Sequence, residues 1–400
     1  MGYKALCLGL SCILLAYHVY RPIPEGIEEP WKVQILDASV KMLSLLALLV
    51  ENVGIMKFEE LYVTLSSMTS IRPSSDENTT VIDTDLGDIP VRLYLPTRTS
   101  GDRRPAVIYL HGGAFVMGSS RLSVYDFLNR DTASVVGAVV VSVDYRLAPQ
   151  HQFPVPLEDC LSAVKFFLQD RVLREFGVDP ARVCVAGDSS GGLLAAQVVQ
   201  ALKSDPEFAD KIKAQALIYP GLQLLDTLTP SYVEYQHGPI LPRDVLIKLV
   251  CLYVTKDQAL PRAMLKNQHL PRSSHHLLKF INWSVFLPEK YKKNHVYTEP
   301  VTGMLNASYF SLVLPTLPLL ANDSVLQSLP LTYVLTCQHD LLRDDGLIFV
   351  TRLRNAGARV AHEHLEDGVH GALAFTLFPF RLQIGHRIKD KYIHWLKENL

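Results

Sequence analysis

Short runs of apolar residues alternate with helix-like stretches over most of the chain. The runs cover residues 106–110, 138–143, 183–186, 216–219, 331–337 and 360–365. Because most of these runs are apolar nearly throughout, they indicate strands buried on both faces of a sheet. Between the runs, apolar residues recur every three or four positions, which is typical of amphipathic helices. The pattern predicts an α/β fold with a mostly parallel central sheet flanked by helices, preceded by a hairpin formed by residues 80–85 and 91–95.

The alternation stops between residues 221 and 328, where proline-punctuated helical pieces at 242–253 and 277–286 replace the strands. A segment this long is more than a connection between strands, so we predict a helical cap inserted into the fold. Residues 31–62 are predicted to form one helix, and its stretch 42–50 is apolar nearly all round. Such a stretch fits a lid, a surface lying against lipid, or an ordinary buried helix. The predicted domains are an N-terminal part of the cap at 21–77 and a catalytic domain at 78–400 that carries the insertion.

The amino-terminal region contains an apolar run at residues 5–20. The run is slightly shorter than the roughly 17–25 residues of a typical membrane span, and no small-x-small cleavage site follows it. We therefore predict an uncleaved signal anchor at residues 1–20, with Tyr17 and Tyr20 at the membrane interface.

Four N-x-[ST] sequons follow the predicted anchor and favour a lumenal body, which makes the chain a single-pass type II membrane protein of the secretory pathway. They begin at Asn78, Asn282, Asn306 and Asn322. Asn78 lies in a polar loop and is the preferred candidate for glycosylation.

Composition narrows the class of partner. The chain is 48% hydrophobic with a formal net charge of -1, so it has no basic field for nucleic acid. Its six cysteines are scattered, and neither C-x-x-C nor H-E-x-x-H occurs. We expect no metal and no cofactor, and a small apolar molecule or a membrane as the partner.

The central chemical motif is Gly-Asp-Ser-Ser-Gly at residues 187–191, which fits G-x-S-x-G. It follows a predicted buried strand and opens a helix rich in small residues. A strand-to-helix turn of this kind holds the central serine in a strained conformation that exposes its hydroxyl. The pattern predicts Ser189 as a catalytic nucleophile.

A second motif, His111-Gly112-Gly113, directly follows the strand at 106–110. Glycines at this place let main-chain N–H groups approach a substrate carbonyl. We predict an oxyanion hole formed by the N–H groups of Gly112, Gly113 and Ser190. The histidine is better explained by anchoring of the loop than by general-base catalysis.

The acid and the base of a serine hydrolase follow the nucleophile in the order acid, then histidine. Asp340 lies just past the strand at 331–337, whereas its rivals Asp344 and Asp345 stand where acids are expected at a helix amino terminus. Asp340 is the predicted acid.

For the base, His362 and His364 lie on the last predicted strand, where the pleat fixes their side chains. His370 lies in the loop predicted at residues 366–371, from which an imidazole can reach both Ser189 and Asp340. His370 is the predicted base.

Five segments together resemble the hormone-sensitive-lipase family of α/β hydrolases: residues 111–113, 144–149, 187–192, 340–344 and 367–371. The resemblance runs nearly from end to end of the chain. It implies an enzyme of the endoplasmic-reticulum membrane, facing the lumen, that hydrolyses esters and aryl amides or assists lipid turnover. We assign residues 144–149 a structural role under the site.

Three positions depart from the family pattern. Ala114 stands where the family usually has a third glycine, and Ser190 replaces a common alanine. Val116 stands where relatives have a cysteine that the resemblance implies would pair with the equivalent of Cys337. Cys337 is therefore expected to be a free thiol near Asp340.

These features predict a serine carboxylesterase or deacetylase that acts through an acyl-enzyme. Two alternatives remain: a lipase acting on acylglycerols or sterol esters, and, from another class, a catalytically silent hydrolase scaffold that serves as an interaction protein.

Overall fold

The computed structural model describes residues 20–97, 103–305 and 309–400. The predicted anchor, apart from Tyr20, and Asn306 lie outside these residues. Eight strands form one sheet: β1 (Thr79–Leu86), β2 (Ile89–Pro96), β3 (Arg104–Leu110), β4 (Val139–Val143), β5 (Val178–Asp188), β6 (Ala214–Ile218), β7 (Leu331–His339) and β8 (Val360–Val369). Their order is β1-β2-β4-β3-β5-β6-β7-β8. The pairs β1–β2 and β2–β4 are antiparallel and the other pairs are parallel, which confirms the predicted fold class.

The α-helices of the described residues fall before, between and after the strands. They are α1 (Pro30–Asn52), α2 (Phe58–Ser67), α3 (Ser123–Val136), α4 (Val155–Phe167), α5 (Asp170–Glu175), α6 (Ser190–Lys203), α7 (Pro230–Glu234), α8 (Arg243–Val254), α9 (Leu260–Leu265), α10 (Trp283–Phe286), α11 (Glu289–Lys292), α12 (Phe310–Val313), α13 (Asp323–Ser328), α14 (Arg343–Asn355) and α15 (Gln383–Asn399). Short 3₁₀ segments lie at Arg272–Phe280, Leu314–Thr316, Pro318–Leu320 and Ala372–Phe375.

The sheet separates two hydrophobic cores. Along β3, Ile108 packs in one core, whereas its neighbours Val107 and Tyr109 pack in the other. Successive side chains of a strand point to opposite faces, so an unbroken apolar run fills both cores at once. This is why the central strands were visible in the sequence as continuous runs.

Three sequence predictions were wrong in detail. The helix predicted at residues 31–62 is two helices, because Gly54 adopts a left-handed φ of 72° and α2 begins afresh with the Glu60 carboxylate accepting from the Lys57 N–H. The helix predicted at 277–286 is a 3₁₀ segment followed by α10, whose amino terminus is capped by Asn282. The loop predicted at 366–371 is mostly strand, since β8 continues to Val369.

The N-terminal helices pack on the helical segment between β6 and β7. The Asp37 carboxylate accepts from the Ile240 N–H at 3.0 Å, and Lys248 forms an ion pair with Glu51 at 2.5 Å. Within the described residues, α1 is the single helix that is long and apolar enough to cross a membrane, judged by length and composition only. A core helix or a signal sequence meets the same criterion, so the environment of α1 has to be inferred from its contacts.

Candidate active site

The turn from β5 into α6 presents Ser189. Its backbone has φ 53° and ψ −119°, a conformation that residues other than glycine rarely adopt. A Cβ at Gly187 would overlap the Gly191 carbonyl oxygen, and a Cβ at Gly191 would overlap that of Leu110. The motif glycines are therefore required because three backbone segments touch at this turn.

Ser189, His370 and Asp340 form a continuous chain of hydrogen bonds. The Ser189 Oγ lies 3.0 Å from the His370 Nε2, and the His370 Nδ1 lies 2.9 Å from the Asp340 Oδ2. Asp340 is fully buried and also accepts from the Leu342 N–H at 2.7 Å, whereas Ser189 is half-buried. The structure thus brings together the three side chains that the sequence selected, in the geometry of a nucleophile, a base and an orienting acid.

Strand pairing places the histidine beside the acid. In the parallel pair β7–β8, His339 is opposite Val369, so the residues that follow, Asp340 and His370, leave the sheet side by side. The Tyr219 ring, at the end of β6, packs 4.9 Å from the imidazole. Tyr219 was missed in the sequence analysis, which assigned it only to a strand.

The rival acids have structural partners instead. Asp344 accepts from the Ser231 N–H at 2.7 Å, and Asp345 accepts from the Leu222 N–H at 2.9 Å. Burial raises the pKa of Asp345 to about 7. Both carboxylates hold the chain that follows β6 against α14.

The rival histidines lie on β8 and hydrogen-bond with a neighbouring strand. His362 Nε2 and His364 Nδ1 each lie 2.8 Å from the Thr336 hydroxyl. Burial lowers the pKa of each imidazole to about 4, so both are neutral at neutral pH.

The loop after β3 departs from the predicted oxyanion hole at one position. The Gly112 N–H donates to the Asp188 Oδ1 at 2.9 Å, and the Tyr125 hydroxyl oxygen also lies 2.9 Å from the Gly112 nitrogen. That N–H is therefore occupied, and the assignment of Gly112 as an oxyanion donor has to be corrected. Within residues 103–305 and 309–400, the N–H groups of Gly113, Ala114 and Ser190 donate to no other protein group.

Asp188 is a functional candidate that the sequence analysis passed over. It is the variable residue of G-x-S-x-G, yet its buried carboxylate also accepts from the Tyr109 hydroxyl at 2.8 Å and the Tyr125 hydroxyl at 3.3 Å. Burial raises the pKa of Asp188, and the hydrogen bonds from the Tyr109 hydroxyl and the Gly112 N–H oppose that rise. An acid directly before the predicted nucleophile was the sequence signal that could have revealed it.

His111 anchors the loop through stacking. Its ring lies parallel to that of Tyr145 with centroids 4.3 Å apart, and the Tyr145 hydroxyl donates to the His111 carbonyl oxygen at 2.6 Å. Burial lowers the pKa of His111, which keeps the imidazole neutral. Tyr145 belongs to the segment 144–149, for which we predicted a supporting role.

Cys337 is a free, fully buried thiol, and burial raises its pKa well above the usual value. Gly368 of β8 packs so closely on it that a Cβ there would lie 2.7 Å from the sulfur. The acid turn is thus held by packing between β7 and β8.

A cavity of about 950 Å³ lies between α1, α2, α8 and α9. None of the residues of the hydrogen-bonded chain lines it. Within the described residues, no group of three or more His, Cys, Asp or Glu side chains is arranged to hold a metal ion.

Comparison with known proteins assigns the family. A model described as alpha/beta hydrolase fold matches residues 107–278 and 282–374. The chain is 58% identical to "Arylacetamide deacetylase-like 2" of Homo sapiens and 48% identical to "Arylacetamide deacetylase" of Oryctolagus cuniculus, each alignment covering 100% of both proteins.

More distant relatives extend the comparison to other esterases. "Neutral cholesterol ester hydrolase 1" of Rattus norvegicus is 38% identical, with 99% of this chain and 100% of that protein covered. The solved structure of the carboxylesterase EstE1, cloned from a metagenomic library, superposes with a TM-score of 0.60 at 28% identity and covers 86% of this chain and 95% of its own. The chain therefore belongs to the α/β hydrolase fold family, as an arylacetamide deacetylase-like serine hydrolase.

Proposed function

We propose that the protein is a serine carboxylesterase or deacetylase that hydrolyses esters and aryl amides of apolar substrates. The observation that carries the proposal is the chain of hydrogen bonds from the Ser189 Oγ through His370 to Asp340. It lies where the parallel strands end, which is the usual place for chemistry in such sheets. The names of the relatives, arylacetamide deacetylase among them, support this class of substrate.

The proposed reaction is acyl transfer in two steps. His370 accepts the Ser189 hydroxyl proton as the oxygen attacks the substrate carbonyl, and it then donates that proton to the leaving alcohol or amine. Asp340 orients the imidazole and stabilises its protonated form. Water, activated by the same histidine, releases the acyl group from Ser189.

We propose that the N–H groups of Gly113, Ala114 and Ser190 hold the oxyanion. Ala114 thus takes the role that the sequence analysis gave to Gly112. These three groups donate to no other protein group within the described part of the chain. Ser190 is the first residue of α6, where the helix dipole also favours negative charge.

Replacement of the nucleophile tests the proposal. We expect Ser189→Ala to lower kcat for a soluble aryl ester by at least about 10⁴-fold, because the covalent step is lost. It should also abolish labelling by a fluorophosphonate probe. Ser190→Ala is the matched control, since only its N–H is assigned a role. Ester turnover by Ser189→Ala at the parent rate would contradict the assignment, and a parent protein that resists the probe would favour the silent scaffold instead.

A lipase acting on acylglycerols or sterol esters is the second candidate. The relative named neutral cholesterol ester hydrolase supports it. Comparison of kcat/KM for short aryl esters with that for long-chain esters in emulsion separates the two. A preference for the emulsified substrate would favour the lipase.

We further propose that residues 1–20 anchor the protein in the endoplasmic-reticulum membrane as a single-pass type II protein. In this arrangement the body is lumenal, and residues 21–77 with 221–328 form the cap. Asn322 is exposed, whereas Asn78 and Asn282 are half-buried, so Asn322 replaces Asn78 as the preferred site of glycosylation. A decrease in apparent mass on treatment with endoglycosidase H would support a lumenal body, and the decrease should be smaller in Asn322→Gln. An unglycosylated, cytosol-accessible body would contradict it.

A further inference from the structure

The outer face of α1 is apolar along the whole helix. A line of exposed residues at steps of three and four follows this face, with Ser39 as its one polar member, and each apolar member of the line is at least 44% exposed. They are Trp31, Ile35, Met42, Leu46, Leu49 and, just past the helix, Val53. We call this set the outer stripe. At 1.5 Å per residue it is roughly 30 Å long and carries no charge.

Two charged residues near the middle of the same helix face inwards. Asp37 and Lys41 are 1% and 6% exposed, and the Lys41 Nζ donates to the Asp37 Oδ2 at 2.5 Å. Asp37 also accepts from the Ile240 N–H. A helix on the surface of a water-soluble protein usually turns a polar or charged face outwards, whereas the outward face of α1 is apolar.

These inward contacts exclude a membrane-spanning position for α1. Lys248 pairs with Glu51, and the Ser44 hydroxyl lies 2.6 Å from that of Tyr62. Insertion across a bilayer would break these contacts and move Asp37 and Lys41 into hydrocarbon, at a cost that two such groups make prohibitive. The helix is part of the folded body, and only its outer stripe lacks a partner.

We propose that the outer stripe lies on the lipid surface, parallel to the membrane plane. The proposal rests on the anchor at residues 1–20. The nine residues from Arg21 to Glu29 can span at most about 33 Å, so α1 begins close to the membrane that the anchor occupies. An apolar stripe with a tryptophan at its end suits the headgroup–hydrocarbon boundary.

A second copy of the chain fits this face less well. Interfaces between proteins place polar groups around an apolar centre, with roughly one hydrogen bond per 100–200 Å². Ser39 is the only polar side chain within the outer stripe, and its hydroxyl already donates to the Ile35 carbonyl oxygen. Lipid requires no hydrogen-bond partner from the stripe.

The chain contains its own probe for this contact. It has three tryptophans, of which Trp283 and Trp395 are 3% and 8% exposed, whereas Trp31 is 64% exposed. In the full chain reconstituted into phosphatidylcholine vesicles, brominated lipids should therefore quench Trp31 selectively. We expect strong quenching by bromines near the headgroup end of the acyl chain and weak quenching by bromines near its methyl end. Trp31→Phe should remove the quenched component.

Two other results would overturn the proposal. Trp31 would lie near the headgroups in a spanning helix as well, so a tryptophan introduced by Met42→Trp, near the middle of α1, makes the distinction. Quenching of that tryptophan mainly by bromines near the methyl end would place the helix across the bilayer. Trp31 emission that no brominated lipid quenches would place the stripe in water or against protein.

Variants separate this contact from catalysis. Leu46→Glu with Leu49→Glu should abolish shallow quenching and lower hydrolysis of a vesicle-embedded ester by about tenfold, with soluble-ester turnover within twofold of the parent. Leu312→Glu, at a leucine with similar exposure outside the stripe, should change neither. Equal loss in both glutamate variants would contradict the proposal. If the parent protein showed no turnover of the soluble ester, the proposed esterase function would be contradicted, and the quenching result would still test the lipid contact.

Discussion

Two loops meet at the candidate site, and both contain strained backbone. In the nucleophile turn the strain lies on Ser189, the residue whose hydroxyl has to be exposed. In the loop after β3 it lies on Ala114 and Phe115, with φ of 53° and 65°, which offer no reactive side chain. Strain in the first loop presents a side chain, whereas in the second it orients main-chain N–H groups.

The two loops are also bonded to each other. Gly191 packs against the carbonyl oxygens of Leu110 and His111, and Asp188 accepts from the Gly112 N–H. The position of Ser189 is therefore set together with that of the N–H groups that we propose as oxyanion donors. We therefore expect that the loss of a shared contact changes the free energy of unfolding more than the relief of strain in either loop does.

The largest effect is expected for Gly191→Ala. The added methyl would overlap the Leu110 carbonyl oxygen, and backbone cannot move aside as a side chain can. We expect a loss of more than about 4 kcal/mol in the free energy of unfolding, measured by urea denaturation. The control is Gly137→Ala, where open space surrounds the glycine and the left-handed φ of 72° adds only local backbone strain. A Gly191→Ala protein as stable as that control would remove the argument from backbone contact.

An intermediate effect is expected at Asp188. Asp188→Ala removes the acceptor of two buried tyrosine hydroxyls and one of the two acceptors of the Gly112 N–H, at a cost of about 2–3 kcal/mol in stability. It should also lower kcat more than it raises KM, because the oxyanion loop loses its position. Asp188→Asn keeps one acceptor oxygen and should recover most of both losses. If Asn and Ala behaved alike in thermal melts and kinetics, the link between the loops would not depend on this hydrogen bond.

The smallest effects are expected from relief of strain. Ser189→Gly should be more stable than Ser189→Ala by about 1 kcal/mol, since glycine accepts this φ and ψ freely. Ala114→Gly should gain less, about 0.5 kcal/mol, and keep soluble-ester turnover within twofold. Thermal melts of the three variants measure both differences. A larger gain at Ala114 than at Ser189 would reverse the ranking of strain in the two loops.

Much of the fold and site was predictable because the decisive signals are local. Unbroken apolar runs located the central strands, and motif spacing selected Ser189, Asp340 and His370. The occupied N–H of Gly112 was not predictable, because its acceptor on Asp188 lies 76 positions along the chain. The stacking of His111 on Tyr145 and the contact of Tyr219 with His370 likewise depend on the order of strands in the sheet.

The sequence by itself determined the class of fold, the order of the chemical motifs and the apolar character of residues 42–50. Hydrophobic periodicity and glycine requirements are properties of neighbouring residues, so they can be recognised without knowing what lies across the sheet. Only the tertiary structure decided which N–H groups remain unoccupied near Ser189. It also decided that α1 buries Asp37 and Lys41 and leaves an apolar stripe exposed, because a helix with apolar residues all round can bury either face until its partners are known.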